Sequence, residues 1–74
     1  MNRDVIRVFS DTLRDYIVGN AGASAGAFQF ALGFRHGLAL SNAITPEEHT
    51  RMCRMTDAAI DARCYISERK WGAA

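Results

Sequence analysis

The chain has 74 residues, of which 49% are hydrophobic and 23% are charged, a composition typical of one folded domain and not of a disordered segment. Nine Lys and Arg residues balance eight Asp and Glu residues, and the formal charge of +1 excludes a strongly basic nucleic-acid-binding tail and an acidic mimic of nucleic acid. A core this small leaves little stability to spare, so a dimer or a partner often has to complete it.

The first predicted element is a helix over about residues 2–18. Its apolar residues recur at steps of 3, 4 and 3, which places Ile6, Phe9, Leu13 and Tyr16 on one face. Most of the charged residues in this segment lie away from that face. The pattern therefore predicts an amphipathic helix that buries one side.

A second helix is predicted over about residues 24–40, after a helix stop at Gly19 and Asn20. Both of these residues tolerate the left-handed conformation that often ends a helix. The second segment is apolar on several sides, and such a helix is normally buried all round. Its apolar residues are Ala27, Phe28, Phe30, Ala31, Leu32, Phe34, Leu38 and Leu40.

Glycines inside the second helix each cost about 1 kcal/mol of helix propensity relative to alanine. Gly33 and Gly37 stand one turn apart, and we interpret them as a surface over which another helix backbone approaches closely. The pattern leaves open whether that helix belongs to a sister chain or is the first helix. The alternative is that Gly37 marks a kink or an early helix end.

The third helix has the clearest start signal in the chain. Thr45 is a predicted N-cap, Pro46 is the first helical residue and Glu48 completes a capping box. We predict a helix over about residues 46–68 and a short tail over residues 69–74. Its apolar residues form a heptad-like series, Met52, Met55, Ala59, Ala62 and Ile66, beside a second strip, Cys53, Ile60 and Cys64.

The two cysteines are predicted to be reduced thiols of a cytoplasmic protein. Cys53 and Cys64 are eleven positions apart in one predicted helix, so their α-carbons would be about 16 Å apart, beyond disulfide reach. A bridge between two chains stays open. No apolar signal segment follows Met1, which also favours the cytoplasm.

An uncharged segment over residues 16–34 has nearly the length of a bilayer span. It is rich in Gly, Ala and Ser, and it includes Asn20, Ser24 and Gln29. We therefore expect a buried helix and no stable membrane insertion.

These elements together predict a single all-α domain over residues 1–74, a small three-helix bundle or helical hairpin. Two outer helices leave part of an apolar middle helix bare, so we expect a symmetric homodimer to complete the core. The residues assigned to helix and dimer packing are Phe28, Phe30, Phe34, Gly33, Gly37, Met52, Met55, Ala59 and Ile66.

Candidate chemistry is sparse. His49 and Cys53 have the i,i+4 spacing of metal ligands, and His36 is the only further histidine. Because these three residues include no CxxC or HxxxH pair, a metal site is disfavoured, and we interpret His49 and Cys53 as a capping histidine and a buried thiol. Asp57 and Asp61 are predicted on a solvated face. We expect no enzyme activity, no metal and no cofactor.

Nucleic-acid binding is the competing interpretation. Residues 38–55 have a helix–turn–helix pattern, and Arg51 and Arg54 lie near the start of its second helix, where a recognition helix reads bases. Neighbouring acidic residues dilute the positive field, and the break over residues 41–45 is longer than the usual tight turn. We therefore expect DNA binding less than protein binding.

Exposed aromatic and arginine side chains dominate protein interfaces. For Tyr65 and Trp71 the alternative is that they cover the end of the bundle. The candidate partner-binding residues are Arg35, Arg51, Arg54, Tyr65, Arg69 and Trp71.

The stretch over residues 37–49, GLALSNAITPEEH, resembles the helix–ITPEE–helix junction of small proteins encoded by phages and prophages of Gram-negative bacteria. The resemblance implies a short, cofactor-free helical protein that binds one host protein and blocks or redirects it, as anti-CRISPR and anti-activator proteins do. It carries over no functional residue. The predicted function is therefore a non-enzymatic inhibitor in the host cytoplasm that acts by steric occlusion. The alternative is a small DNA-binding regulator that uses the helix starting at Pro46.

Overall fold

A computed structural model of the chain describes the backbone of residues 3–72 and the side chains of residues 3–67. Within residues 3–72 the chain forms α1 (Arg3–Val18), α2 (Ala21–Leu40) and α3 (Pro46–Gly72), and this part contains no strand. The prediction of a small all-α three-helix bundle is confirmed.

The hydrophobic core lies where α1 meets the other two helices. α1 packs along both α2 and α3, whereas α2 and α3 touch each other much less. Phe9 and Leu13 of α1 are buried against Ala31 of α2 and against Met52 and Ala59 of α3. The predicted apolar face of α1 therefore forms the centre of the bundle.

The turn between α1 and α2 differs from the prediction. α1 ends at Val18 as expected, but no described glycine has a positive φ, and Asn20 is extended at φ −68° and ψ 173°. The Asn20 Oδ1 atom accepts a hydrogen bond of 3.0 Å from the Ala23 N–H, which makes Asn20 the N-cap of α2. α2 consequently begins at Ala21, three residues before the predicted start.

Gly19 is required in this turn by a close approach of the backbone. Its N–H donates to the Asp15 carbonyl over 2.9 Å, and a Cβ atom added at Gly19 would stand 2.6 Å from that same carbonyl oxygen. Only glycine fits without a shift of the backbone.

α2 ends in a Schellman motif at residues 38–43. The Ala43 N–H donates to the Leu38 carbonyl over 3.0 Å, and the Asn42 N–H donates to the Ala39 carbonyl over 3.2 Å. Asn42 takes the left-handed conformation with φ 58°. The helix thus continues past Gly37, and the alternative that Gly37 ends it is wrong.

α3 begins with the predicted capping box. The Glu48 N–H donates to Thr45 Oγ1 over 3.1 Å, and the Thr45 N–H donates to Glu48 Oε1 over 2.7 Å. The helix runs to Gly72, so the predicted tail is wrong for residues 69–72. No strong helix breaker precedes Gly72. At 27 residues α3 is about 40 Å long, which accounts for most of the 46 Å long axis of the molecule.

The prediction that the second helix is buried all round is wrong for the single chain. Ser24 and Ala31 of α2 are buried, but the Phe30 side chain is 55% exposed and that of Leu40 is 72% exposed. A Cβ atom added at Gly33 or Gly37 would have no other atom within 4 Å. α1 and α3 cover one side of α2, so these glycines do not pack on α1, and contact with a sister chain stays a prediction.

Along residues 3–72 no helix has both the length and the apolar character needed to cross a bilayer.

Candidate protein-binding surface

An apolar groove runs along the surface between α1 and α3, and we call it the α1–α3 groove. Its volume is about 320 Å³. The residues that line it are Ser10, Leu13, Arg14 and Ile17 from α1 and Met55, Ala58 and Ala59 from α3.

Small side chains on α3 create this groove. Ala58 and Ala59 leave room beside α1, and Leu13 and Ala59 form its floor because both belong to the buried core. Met55 adds an unbranched, polarisable side chain that adapts to the shape of a bound group. The result is a shallow apolar depression, largely open to solvent, on otherwise regular helices.

Arginine side chains border the groove. Arg14 lines it and is paired with Asp11 at 3.7 Å on the exposed surface, an interaction worth little in water. Arg51 precedes Met55 by one helical turn and is exposed. Helical spacing therefore places Arg51 on the side of α3 that carries the groove residues.

The three candidates for partner binding on α3 whose side chains are described, Arg51, Arg54 and Tyr65, are all exposed. Arg51 and Tyr65 lie seven residues before and after Ala58 of the groove, so these three residues lie on one side of the helix. The Tyr65 side chain is 57% exposed. Arg54 is exposed three residues beyond Arg51. Their role in partner binding stays a prediction, and sequence reasoning did not identify the groove.

Arg35 was a candidate for partner binding, but the structure shows that it links two helices. It is half-buried, and its Nη1 atom donates to Thr56 Oγ1 over 3.0 Å. The Thr56 hydroxyl in turn donates to the Met52 carbonyl over 2.8 Å. The two remaining candidates, Arg69 and Trp71, lie outside the described side chains.

Arg63 is an important residue that sequence reasoning missed. Its Nη1 atom donates to the Ile17 carbonyl over 3.0 Å and to the Gly19 carbonyl over 2.7 Å. Ser24 Oγ donates to the Tyr16 carbonyl over 2.6 Å nearby. The sequence does contain a signal for this role. Arg63 lies four residues after the buried Ala59, and residues at that spacing share one face of a helix.

The other candidate packing residues lie at different depths. Ala62 and Ile60 are half-buried, whereas the Ile66 side chain is 38% exposed. Phe28 is half-buried and its ring lies 4.6 Å from that of Tyr16.

The described residues provide no constellation for metal chemistry. Cys53 Sγ lies 3.9 Å from both ring nitrogens of His49, but His36 is exposed. Among residues 3–67, no group of three His, Cys, Asp or Glu side chains could hold a metal ion. Cys53 is half-buried, and both it and Cys64 are free thiols.

Comparison with protein-family models, with curated proteins and with solved structures finds no match.

Proposed function

We propose that the protein is a non-enzymatic protein-binding protein that inhibits a host protein by covering a functional surface of it. The resemblance of residues 37–49 to small phage proteins implies this class, and the proposed place of action is the host cytoplasm. The proposed homodimer rests on the apolar residues that α2 leaves exposed, Phe30 and Leu40. The observation that carries the proposal is the α1–α3 groove, an open apolar depression lined by Arg14, with the exposed Arg51 and Tyr65 along the same side of α3. These are the residue types that dominate binding energy at protein interfaces.

The occupant that fits this groove is the apolar face of an amphipathic helix of the target, flanked by acidic residues. Leu13, Ile17 and Met55 offer the apolar contacts that anchor such a helix. Arg14 and Arg51 at the border favour Asp or Glu beside those anchors, because complementary charge speeds encounter and fixes register. Tyr65 adds a large, half-exposed ring farther along α3.

A photo-crosslinking amino acid placed at residue 58 tests the proposal in host lysate. Ala58 lines the groove, whereas Asp57 is exposed about 100° away around the helix and provides the matched control. We expect one host protein to be crosslinked from residue 58 and not from residue 57. Equal crosslinking from both residues, or none under several growth states, would contradict the proposal.

The variant Ala58→Glu supplies the second half of the test. A carboxylate in the groove should repel an acidic partner and occupy its apolar space, while the exposure of Ala58 leaves the fold intact. We expect that the Ala58→Glu protein no longer copurifies with the host protein that crosslinking identified. Its circular dichroism spectrum should be unchanged. Retained binding would overturn the role of the groove. Salt-dependent binding of duplex DNA that Arg51→Ala weakens would instead favour the DNA-binding alternative.

A further inference from the structure

Six residues on the outer side of α2 recur at steps of 3, 4, 3, 4 and 3, the spacing of a helix-packing seam. All six are exposed, and none is charged. We call this set the α2 seam. It consists of Ala23, Gly26, Phe30, Gly33, Gly37 and Leu40.

Ring contacts hold Phe30 of the seam in place. The Phe30 ring stacks on that of Phe34 with 5.9 Å between centroids, and Phe34 stacks on the fully buried Phe9 at 6.4 Å. This run of rings reaches from the core to the surface. Because the Phe30 side chain is already ordered, little of its conformational entropy is lost when a partner covers it.

We propose that a second copy of this chain docks on the α2 seam, with the two α2 helices antiparallel and the symmetry axis between Phe30 and Gly33. In this register Phe30 faces Gly33 of the second copy, and Leu40 faces Ala23 of the second copy. Gly26 faces Gly37. Each large side chain thus meets a small residue, and the surface is complementary to itself, as a two-fold interface requires.

The antiparallel arrangement follows from the order of large and small residues along the seam. In a parallel pair Phe30 would face Phe30 and each glycine would face a glycine. Bulk would then collect in some layers and empty space would remain in others, which close-packed interfaces avoid. The antiparallel pair places a small residue opposite each large one, and only its two Gly26–Gly37 layers lack a side chain.

Charge and area are both compatible with a second copy. Arg35 is the one formally charged residue of α2, and it is bonded to Thr56 of α3, away from the seam. No like charges of the two α2 helices therefore oppose each other. The whole chain exposes 5190 Å², roughly 650 Å² more than is usual for a monomer of its mass, and the extended α3 contributes to this excess. A standard interface buries about 800 Å² of each partner.

This inference rests on the proposed homodimer, and light scattering tests that dimer first. We expect a dimeric mass for the wild type and a monomeric mass for Gly33→Leu, because the new side chain would collide with Phe30 of the second copy. Within one chain the space around Gly33 is open and leucine is the better helix former, so the variant stays folded by circular dichroism.

Ala25→Leu is the matched control, since Ala25 is exposed on α2 but lies off the seam. This variant should remain a dimer. A monomeric wild type, or a Gly33→Leu protein that stays dimeric, would overturn the proposed interface.

Disulfide crosslinking then tests the register, in a background with Cys53→Ser and Cys64→Ser. The double variant Ala23→Cys/Leu40→Cys should form a covalent dimer on oxidation, whereas each single variant should not. In the antiparallel pair the two copies of residue 23 stand about 26 Å apart along the helix, too far for a disulfide. The samples are oxidised at a concentration where light scattering shows dimers. Crosslinking of Ala23→Cys alone would leave the homodimer standing and overturn the antiparallel register, as would a double variant that does not crosslink.

Discussion

Arg63 binds two carbonyl groups that the end of α1 leaves without a helical partner. These bonds join α3 to the α1–α2 turn, where Gly19 already makes a close approach to Asp15. A list of apolar residues does not reveal such a residue, because it treats every arginine as solvated; only the position of Arg63 four residues after the buried Ala59 signals its role. The same limitation applies to Arg35 and to the buried hydroxyl of Thr56.

Arg63→Ala should lower the free energy of unfolding by about 1.5–3 kcal/mol, the usual contribution of hydrogen bonds to a charged group. Chemical denaturation at one fixed protein concentration measures the change. Arg54→Ala is the control, since Arg54 is exposed on the same helix, and it should change stability by less than about 0.5 kcal/mol. Equal stability of the two variants would contradict the role assigned to Arg63.

The helices differ in how much of them the sequence predicts. α1 follows from its apolar face, and the start of α3 follows from Thr45, Pro46 and Glu48, because these signals are local. The start of α2 was misplaced because Asn20 serves equally well as a helix stop or as an N-cap, and only the chain path distinguishes the two. The end of α3 was misplaced because Arg69 and Lys70 were assigned to the tail, although both are good helix formers that can continue the helix.

The α1–α3 groove was not predictable from any single helix, since it depends on how α1 and α3 cross. Arg51 and Tyr65 were named from the sequence as candidates for partner binding, and the structure shows both exposed on α3. The groove appears only when the alanines of α3 are placed beside Leu13 of α1.

Asn42 provides a test of the motif that ends α2. Asn42→Ala should destabilise the protein by about 1 kcal/mol, because a Cβ-bearing residue without the local hydrogen-bonding ability of asparagine is disfavoured at φ 58°. Asn42→Gly should be neutral or stabilising, since glycine adopts this conformation without strain. Thermal unfolding of the two variants compares them directly, and a less stable glycine variant would argue against the motif.

At the scale of the whole molecule, α1 is the helix that both others share, and α2 keeps one face open. The radius of gyration of 13.3 Å exceeds the roughly 11 Å typical of a compact chain of this length, in part because α3 extends beyond its neighbours. Composition already suggested that a single chain would not cover its apolar residues. The structure leaves Phe30 and Leu40 of α2 exposed, together with Val8 and Val18 of α1 and with Tyr65 and Ile66 of α3.

Thermal unfolding of the wild type and of Gly33→Leu over a hundredfold range of protein concentration tests directly whether two copies associate. If a second copy covers the α2 seam, association stabilises the folded state by mass action, and the wild-type midpoint should rise by roughly 10 °C over that range. The Gly33→Leu midpoint should stay constant. A wild-type midpoint independent of concentration would contradict the claim that a second copy completes this fold.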